Sequence, residues 1–425
     1  MSKNKNLPAI IVMFALFFMI AFVTNFAGSM GVIVTKQFGA TKALSQLGTL
    51  ANFIAYACMG IPAGIILKRK GYKFTALAAV IVGLVGVAVQ WISGPAESFL
   101  VYVIGAFIAG FSMCMLNIVV NPMLNTLGGG GNEGNRLIQL GGSCNSVGGT
   151  IAPILLGYLV GGTVENATVR DAAPAMIIAM AIFALAFVII FFSAIPEPEL
   201  EAAKAAPAKE SEGVVASVKG ALSHNNLLFG IIAIFVYVGV EVGIPNIANL
   251  YMTSGAEHGG LGIATGTAGT IVGLYWLLML CGRLVGGALG GKISSKHMMT
   301  GVSSVAILLV ILGIFIPESA VISLGALADG AVVPVKILCF VLCGLCTSVM
   351  WGSIFNLAVE GLGKYTSIAS GVFMVMVCGG GILPYFQGLL ADVTSFVSSY
   401  WLIVVALGYM LCYTLFLSKP SPEEE

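Results

Sequence analysis

Charge is what this sequence has least of: across 425 residues only 9% are Asp, Glu, Lys or Arg, while 58% are hydrophobic. Soluble domains run at about 25% charged, and a globule in water could not hide so much apolar surface. The scarcity excludes a basic nucleic-acid face, since Lys and Arg stand in short clusters between apolar runs and the net charge is +1. Histidine is nearly missing too. His224, His258 and His297 are the three present, in loops or at helix ends, and none stands at metal-ligand spacing from a Cys or an acid. The Gly128 to Gly131 run lacks the Lys-Ser/Thr of a phosphate loop and follows an apolar segment rather than a strand. No enzyme, cofactor or metal site is expected, and without an ATP site any transport is facilitated or ion-driven. The nine cysteines all lie in apolar stretches. The C-x-x-C of Cys343 and Cys346 has no second pair or nearby His and reads as small buried hydrophobes.

What the sequence has in quantity is apolar runs of about 20 residues, the length of a helix across hydrocarbon. They fall near 8–34, 44–67, 74–94, 99–126, 138–162 and 173–195, then near 226–253, 262–290, 297–317, 333–361, 367–391 and 397–417. The first is too long for a signal-peptide core and no A-x-A-like site closes it, so it reads as a retained helix. An all-α membrane protein of twelve transmembrane helices follows, with six-helix units at 1–195 and 223–425 and a polar linker at 196–222. With the N-terminus in the cytoplasm, Lys36, Lys42, Arg170 and Lys336 fall outside and the other fifteen of nineteen Lys and Arg fall inside. Both termini and the linker are therefore expected in the cytoplasm. The cluster Lys68, Arg69, Lys70 and Lys73 reads as topogenic. Asp392 and Lys336 read as interface anchors, and Arg283 as a structural or snorkelling cation.

The halves echo each other. Asn121-Pro-Met-Leu-Asn-Thr-Leu-Gly128 aligns without gaps to Asn356-Leu-Ala-Val-Glu-Gly-Leu-Gly363. Gly149, Pro153 and Gly157 match Gly380, Pro384 and Gly388 at one constant offset, and Gly64-Ile-Ile-Leu-Lys68 matches Ala288-Leu-Gly-Gly-Lys292 more weakly. Parallel six-helix repeats around a midplane site are the plan of major facilitator transporters, which this organisation resembles: two bundles related by a pseudo-twofold axis. The 55 glycines, in groups such as Gly141-Gly142, Gly148-Gly149 and Gly379-Gly380-Gly381, serve either close helix packing or hinges.

One acid lies deep in a predicted helix. Glu241, central in the seventh, must be paired or wet at that depth; it either lines a cavity and takes a proton, or is a structural acid bonded to a carbonyl. Carboxamides are more numerous, and their mixed donors and acceptors suit a sugar's hydroxyls, with interhelical bonding as the alternative for each. The expected substrate-binding set is Asn25, Asn117, Asn121, Gln139, Asn145, Asn246, Asn356 and Gln387, with Trp351 stacking on the sugar and Glu241 coupling. Asn117, Asn356 and Gln387 are expected around one common void. Tyr275-Trp276 adds further aromatic surface.

Tyr237-Val-Gly-Val-Glu-Val, Tyr275-Trp276 with Gly282-Arg283, Ser353-Ile-Phe-Asn-Leu-Ala with Gly361-Leu-Gly-Lys364, and the Gly379 to Asp392 run resemble the fucose/galactose/glucose proton symporters of bacteria. Ile61-Pro-Ala-Gly64, Asn121-Pro122 and Asn145-Ser-Val-Gly148 resemble the same family, so the likeness spans nearly the whole chain. It implies uptake of a hexose or deoxyhexose with a cation, across the bacterial cytoplasmic membrane, by a monomer. Three positions depart from the family's pattern. Thr24-Asn-Phe-Ala-Gly28 holds no acid in the first helix, Asn117 stands where the family has Glu, and Gly142 stands where it often has Gln. These leave coupling to Glu241 alone, to sodium in place of a proton, or to neither, and leave room for an amino sugar or sugar acid. Against efflux of an amphiphile stands the richness in carboxamides; against a membrane sensor, the lack of a soluble output domain; against a pore, the lack of a pore loop or charged ring.

Overall fold

In hydrocarbon every backbone N–H and C=O must be satisfied within its own segment, so apolar runs of this length fold as helices. The computed structural model describes residues 7–128, 131–160, 168–197, 214–289, 293–325, 330–360, 362 and 366–419. Among these, twelve helices are long and apolar enough to cross a membrane. Spans 1 to 6 are Leu7–Val34, Leu47–Leu67, Arg69–Ile92, Phe99–Leu124, Leu140–Val160 and Ala173–Phe192. Spans 7 to 12 are Asn225–Thr253, Thr265–Gly286, Ser295–Phe315, Val335–Val359, Gly371–Val393 and Tyr400–Leu417. Each lies within a few residues of its expected place. The polar stretch 196–222 falls mostly outside the described residues, as do Lys292, Gly361, Gly363 and Lys364, but its end, Val214–Leu222, is helical. With an even number of spans, Leu7 and Leu417 share one membrane face, here termed the near face.

Spans 2 and 3 turn into each other at Gly71, whose φ of 85° a side chain would resist. The Glu197 carboxylate accepts the N–H groups of Tyr72 (2.6 Å) and Lys73 (2.8 Å), satisfying donors left free where span 3 starts. A strand pair on the far face, β1 (Val321–Ser323) and β2 (Val332–Pro334), joins spans 9 and 10.

The equivalent helices of the two halves differ in continuity. Spans 4 and 5 run unbroken through Pro122 and Pro153, whereas span 10 divides into Val335–Thr347 and Met350–Val359. Span 11 divides likewise, into Thr366–Met376 and Gly379–Val393. At the first break the Thr347 carbonyl takes the Tyr237 hydroxyl as donor at 3.1 Å. At the second, Gly380 and Gly381 donate to Val377 and Cys378 at 3.0 Å each, the tighter i to i−3 pattern.

The repeated glycines mark the seams between halves. In span 5, Gly149 faces the Trp276 ring and Gly157 packs on Thr265 and Gly266 of span 8; a Cβ at Gly157 would stand 3.1 Å from Gly266 Cα. In span 11, Gly380 faces Phe53 of span 2, and a Cβ at Gly388 would come within 2.8 Å of Lys42 O and Ala43 Cα. Glycine here allows backbones to touch.

The far face is sealed by polar contacts across the same seams. Asn246 donates to Gln46 Oε1 at 3.1 Å and Thr49 Oγ1 at 3.4 Å. Asp392, expected as an anchor, instead caps the short helix Lys42–Ser45 by accepting the N–H groups of Lys42 (2.8 Å) and Ala43 (2.9 Å). Lys42 Nζ in turn donates to Ala391 O at 2.9 Å and lies 4.1 Å from the Phe396 ring centroid. Burial lowers the Lys42 ammonium below its usual pKa range, and Asp392 works against that shift. Lys336, also expected as an anchor, is buried and pairs with Glu318 at 3.7 Å. Cys343 and Cys346 are buried free thiols in span 10.

Candidate functional site

Near the middle of the spans, a chamber of about 110 Å³ lies between the halves. That is room for several waters, enough to keep polar groups wet inside the membrane. From the first half it is walled by Thr24 and Asn25 (span 1), Phe53 and Tyr56 (span 2), Asn117 (span 4) and Asn145 (span 5). From the second half come Val238 and Glu241 (span 7), Trp276 (span 8), Trp351 (span 10) and Val377 at the break in span 11.

Each amide on the first-half wall is held by its nitrogen. Asn25 Nδ2 donates to Ala21 O at 2.9 Å and Asn145 Nδ2 to Phe17 O at 3.1 Å. Asn117 Nδ2 donates to Met113 O at 3.1 Å and to the Tyr56 hydroxyl at 3.0 Å. The second-half wall carries charge and rings. Glu241 Oε1 stands 3.5 Å from Arg283 Nη2, and the two side chains are 12% and 13% exposed. At that distance and an effective dielectric of ~20 their attraction is about 5 kcal/mol, set against the cost of desolvating both. Arg283 also reaches across the seam: Nη1 donates to Gly142 O at 2.5 Å and Ser146 Oγ at 2.9 Å. The Tyr237 ring meets Trp351 edge-on at 6.2 Å between centroids, and Tyr275 meets Trp276 likewise at 5.4 Å. The Trp276 indole N–H and the Thr24 hydroxyl are buried, with no partner among the described residues.

Of the residues expected from sequence, Asn25, Asn117, Asn145, Trp351 and Glu241 share this chamber. The others that can be described stand elsewhere. Asn121 bonds back to Asn117 O at 3.0 Å, one turn toward the near face. Asn356 meets Ser295 Oγ at 3.4 Å on the near-face side; five residues along a helix is a rotation of about 140° from Trp351, so the two cannot share one wall. Asn246 belongs to the far-face seam. Gln387 is fully buried behind Gly243, with neither amide atom partnered among the described residues. The side chain of Gln139 lies outside the described residues. The common void expected for Asn117, Asn356 and Gln387 therefore holds Asn117 of the three.

Sequence reasoning did not place Tyr56 or Thr24 at the site, and it read Arg283 as a structural or snorkelling cation; the structural half of that reading holds, since Arg283 pairs with Glu241 and bonds Gly142 and Ser146. Arg283 sits three residues before the end of span 8, where a cation ordinarily reaches toward headgroups. No local signal marks its inward turn, because Glu241, Gly142 and Ser146 stand on two other helices. Among the described residues no cluster of His, Cys, Asp and Glu could hold a metal ion.

The sequence signature of the Major Facilitator Superfamily matches residues 12–383. A glucose/galactose transporter of Brucella abortus is 29% identical over 434 aligned residues, covering 98% of this chain and 96% of its own. The L-fucose-proton symporter of Escherichia coli K12 is 23% identical over 406 residues, covering 90% and 87%. The crystal structure of a variant of the E. coli fucose:proton symporter superposes with a TM-score of 0.68 at 20% identity, covering 97% of this chain and 98% of that one.

Proposed function

The chain belongs to the major facilitator superfamily, and we propose that it takes up a monosaccharide, a hexose or deoxyhexose, by alternating access with proton coupling. The observation that carries this reading is the chamber itself: three amides and two indole faces enclose a polar space midway through the bilayer, beside a buried ion pair. Amides match hydroxyls, and indoles match the apolar face of a pyranose. The glucose/galactose transporter of Brucella abortus and the L-fucose-proton symporter of E. coli, similar along most of their length, support the substrate class.

The two units, 1–195 and 223–425, rock about the chamber while the 196–222 linker tethers them. The protein works as a monomer in the cytoplasmic membrane of a bacterium, with the near face toward the cytoplasm. In that orientation the geometry described is the one closed to the outside, by Asn246 on Gln46 and Asp392 on the Lys42–Ser45 helix. Asn25, Asn117, Asn145 and Trp351 hold the sugar. Glu241 accepts the coupling proton, and losing its charge frees Arg283 to hold Gly142 and Ser146 alone, which ties protonation to the seam.

The test is accumulation of radiolabelled D-glucose, D-galactose and L-fucose by the purified chain in proteoliposomes. An imposed proton gradient is expected to drive at least one sugar above equilibrium, and a protonophore to abolish the excess. Accumulation under a sodium gradient alone would overturn the coupling ion. Equilibration without accumulation under either gradient would make the protein a facilitator, and no movement of any sugar would overturn the substrate class.

A further inference from the structure

The polar atoms of the chamber are unequally engaged. Asn117 spends both N–H groups on Met113 O and the Tyr56 hydroxyl. Asn25 and Asn145 each spend one on a backbone carbonyl, at 2.9 and 3.1 Å. Four of six amide N–H groups are thereby committed, while none of the three amide oxygens accepts a bond from another described residue. Because a carbonyl can be bonded only by a nitrogen's hydrogen, the anchoring fixes which end of each amide is free. Glu241 adds a carboxylate, acceptor-only when charged, with one oxygen toward Arg283. Against these acceptors stand two uncommitted N–H groups, one on Asn25 and one on Asn145. The Trp276 indole N–H and the Thr24 hydroxyl, with no partner among the described residues, are buried away from the open space. The Tyr56 hydroxyl can serve in either sense.

Resting on the sugar reading above, we infer that the chamber recognises its solute chiefly through the solute's O–H donors. The amide oxygens of Asn25, Asn117 and Asn145 are the specificity-determining atoms on the first-half wall. Such a surface takes a neutral polyhydroxy solute. It rejects a sugar acid, whose carboxylate brings more acceptors and a negative charge next to Glu241. A donor that the wall requires and the solute lacks leaves a buried oxygen unpaired, which is how a polar site discriminates strongly.

The experiment is competition with radiolabelled D-glucose uptake, on the full chain in proteoliposomes, by monodeoxy-D-glucoses, monofluoro-deoxy-D-glucoses and D-glucuronate. Fluorine cannot donate, so at the hydroxyls read by the amide oxygens the deoxy and fluoro analogues are expected to lose affinity alike, each by about tenfold. D-Glucuronate is expected not to compete. Fluoro analogues that bind like the parent at every position, or D-glucuronate competing as well as D-glucose, would overturn the inference. If no sugar binds, the sugar reading fails separately. A thermal-shift panel of neutral polyols against small carboxylates, on the same protein, then decides the polarity: stabilisation by polyols sustains it, and stabilisation by carboxylates or by neither class overturns it.

Discussion

The two walls of the chamber come from halves that echo each other in sequence, yet they are built from different chemistry. The first half contributes neutral amides on continuous helices, each amide tied by its nitrogen to a neighbouring carbonyl. The second half contributes an ion pair and two indoles, and its spans 10 and 11 break close to the chamber. Tied amides on unbroken helices make a stiff surface suited to recognising a solute. A charge pair next to interrupted helices, one of whose freed carbonyls is held by a tyrosine hydroxyl, makes a surface whose contacts can be exchanged. The pseudo-symmetry thus preserves the seams, where Gly157 and Gly388 occupy equivalent places, and divides the labour at the centre.

Breaking the second wall should have the largest effect. Arg283→Ala leaves Glu241 without its cation and Gly142 without its donor, and removing one member of a buried pair costs about 3–5 kcal/mol. Loss of folded protein by detergent size-exclusion and loss of uptake are expected, with partial recovery of folding in the double variant with Glu241→Gln. Arg283→Lys should rescue poorly, because one ammonium cannot match the guanidinium's fixed fork between Gly142, Ser146 and Glu241. Next come the seams, where the halves should behave alike. Gly157→Val and Gly388→Val each force a side chain into backbone of the opposite half, at about 1–3 kcal/mol. Both should lower the thermal midpoint and raise labelling of Ser45→Cys by an impermeant thiol reagent, since both wedge the far face. A drop for one seam alone would mean that the halves do not close as equivalents. The smallest effect is expected from Asp392→Ala, which takes the acceptor from the Lys42 and Ala43 N–H groups while the Thr41 cap stays in place, at a cost of about 1 kcal/mol. The same labelling assay should rise about fivefold at most, and no change would leave the seal to Asn246 and the glycine seams.

Much of the architecture was legible because membrane helices announce themselves by length and hydropathy, and all twelve spans fell near their expected places. The glycine–proline echo was legible too, because backbone contact leaves no substitute for glycine. The site was only partly so. Asn25, Asn117 and Asn145 look no different in sequence from Asn246 or Gln387; all are carboxamides in apolar helices. What separates them is depth and rotation, which depend on tilt and on the break in span 10, and neither is written in local composition. Arg283 was legible only as structural or snorkelling: its position near a helix end left both open, and the partners that draw it inward, Glu241, Gly142 and Ser146, lie on other helices. Asp392 and Lys336 stand at span ends, where they were expected, but their partners were not legible, because these stand across long sequence separations or in a loop.

The division of labour between the walls is tested most directly by one paired measurement: counterflow and gradient-driven accumulation of the same sugar by Asn117→Leu and Glu241→Gln in proteoliposomes. Counterflow needs binding and alternation, whereas accumulation also needs coupling. Asn117→Leu should lose both, and Glu241→Gln should keep counterflow while losing accumulation. Full accumulation by Glu241→Gln, or undiminished counterflow by Asn117→Leu, would contradict the account.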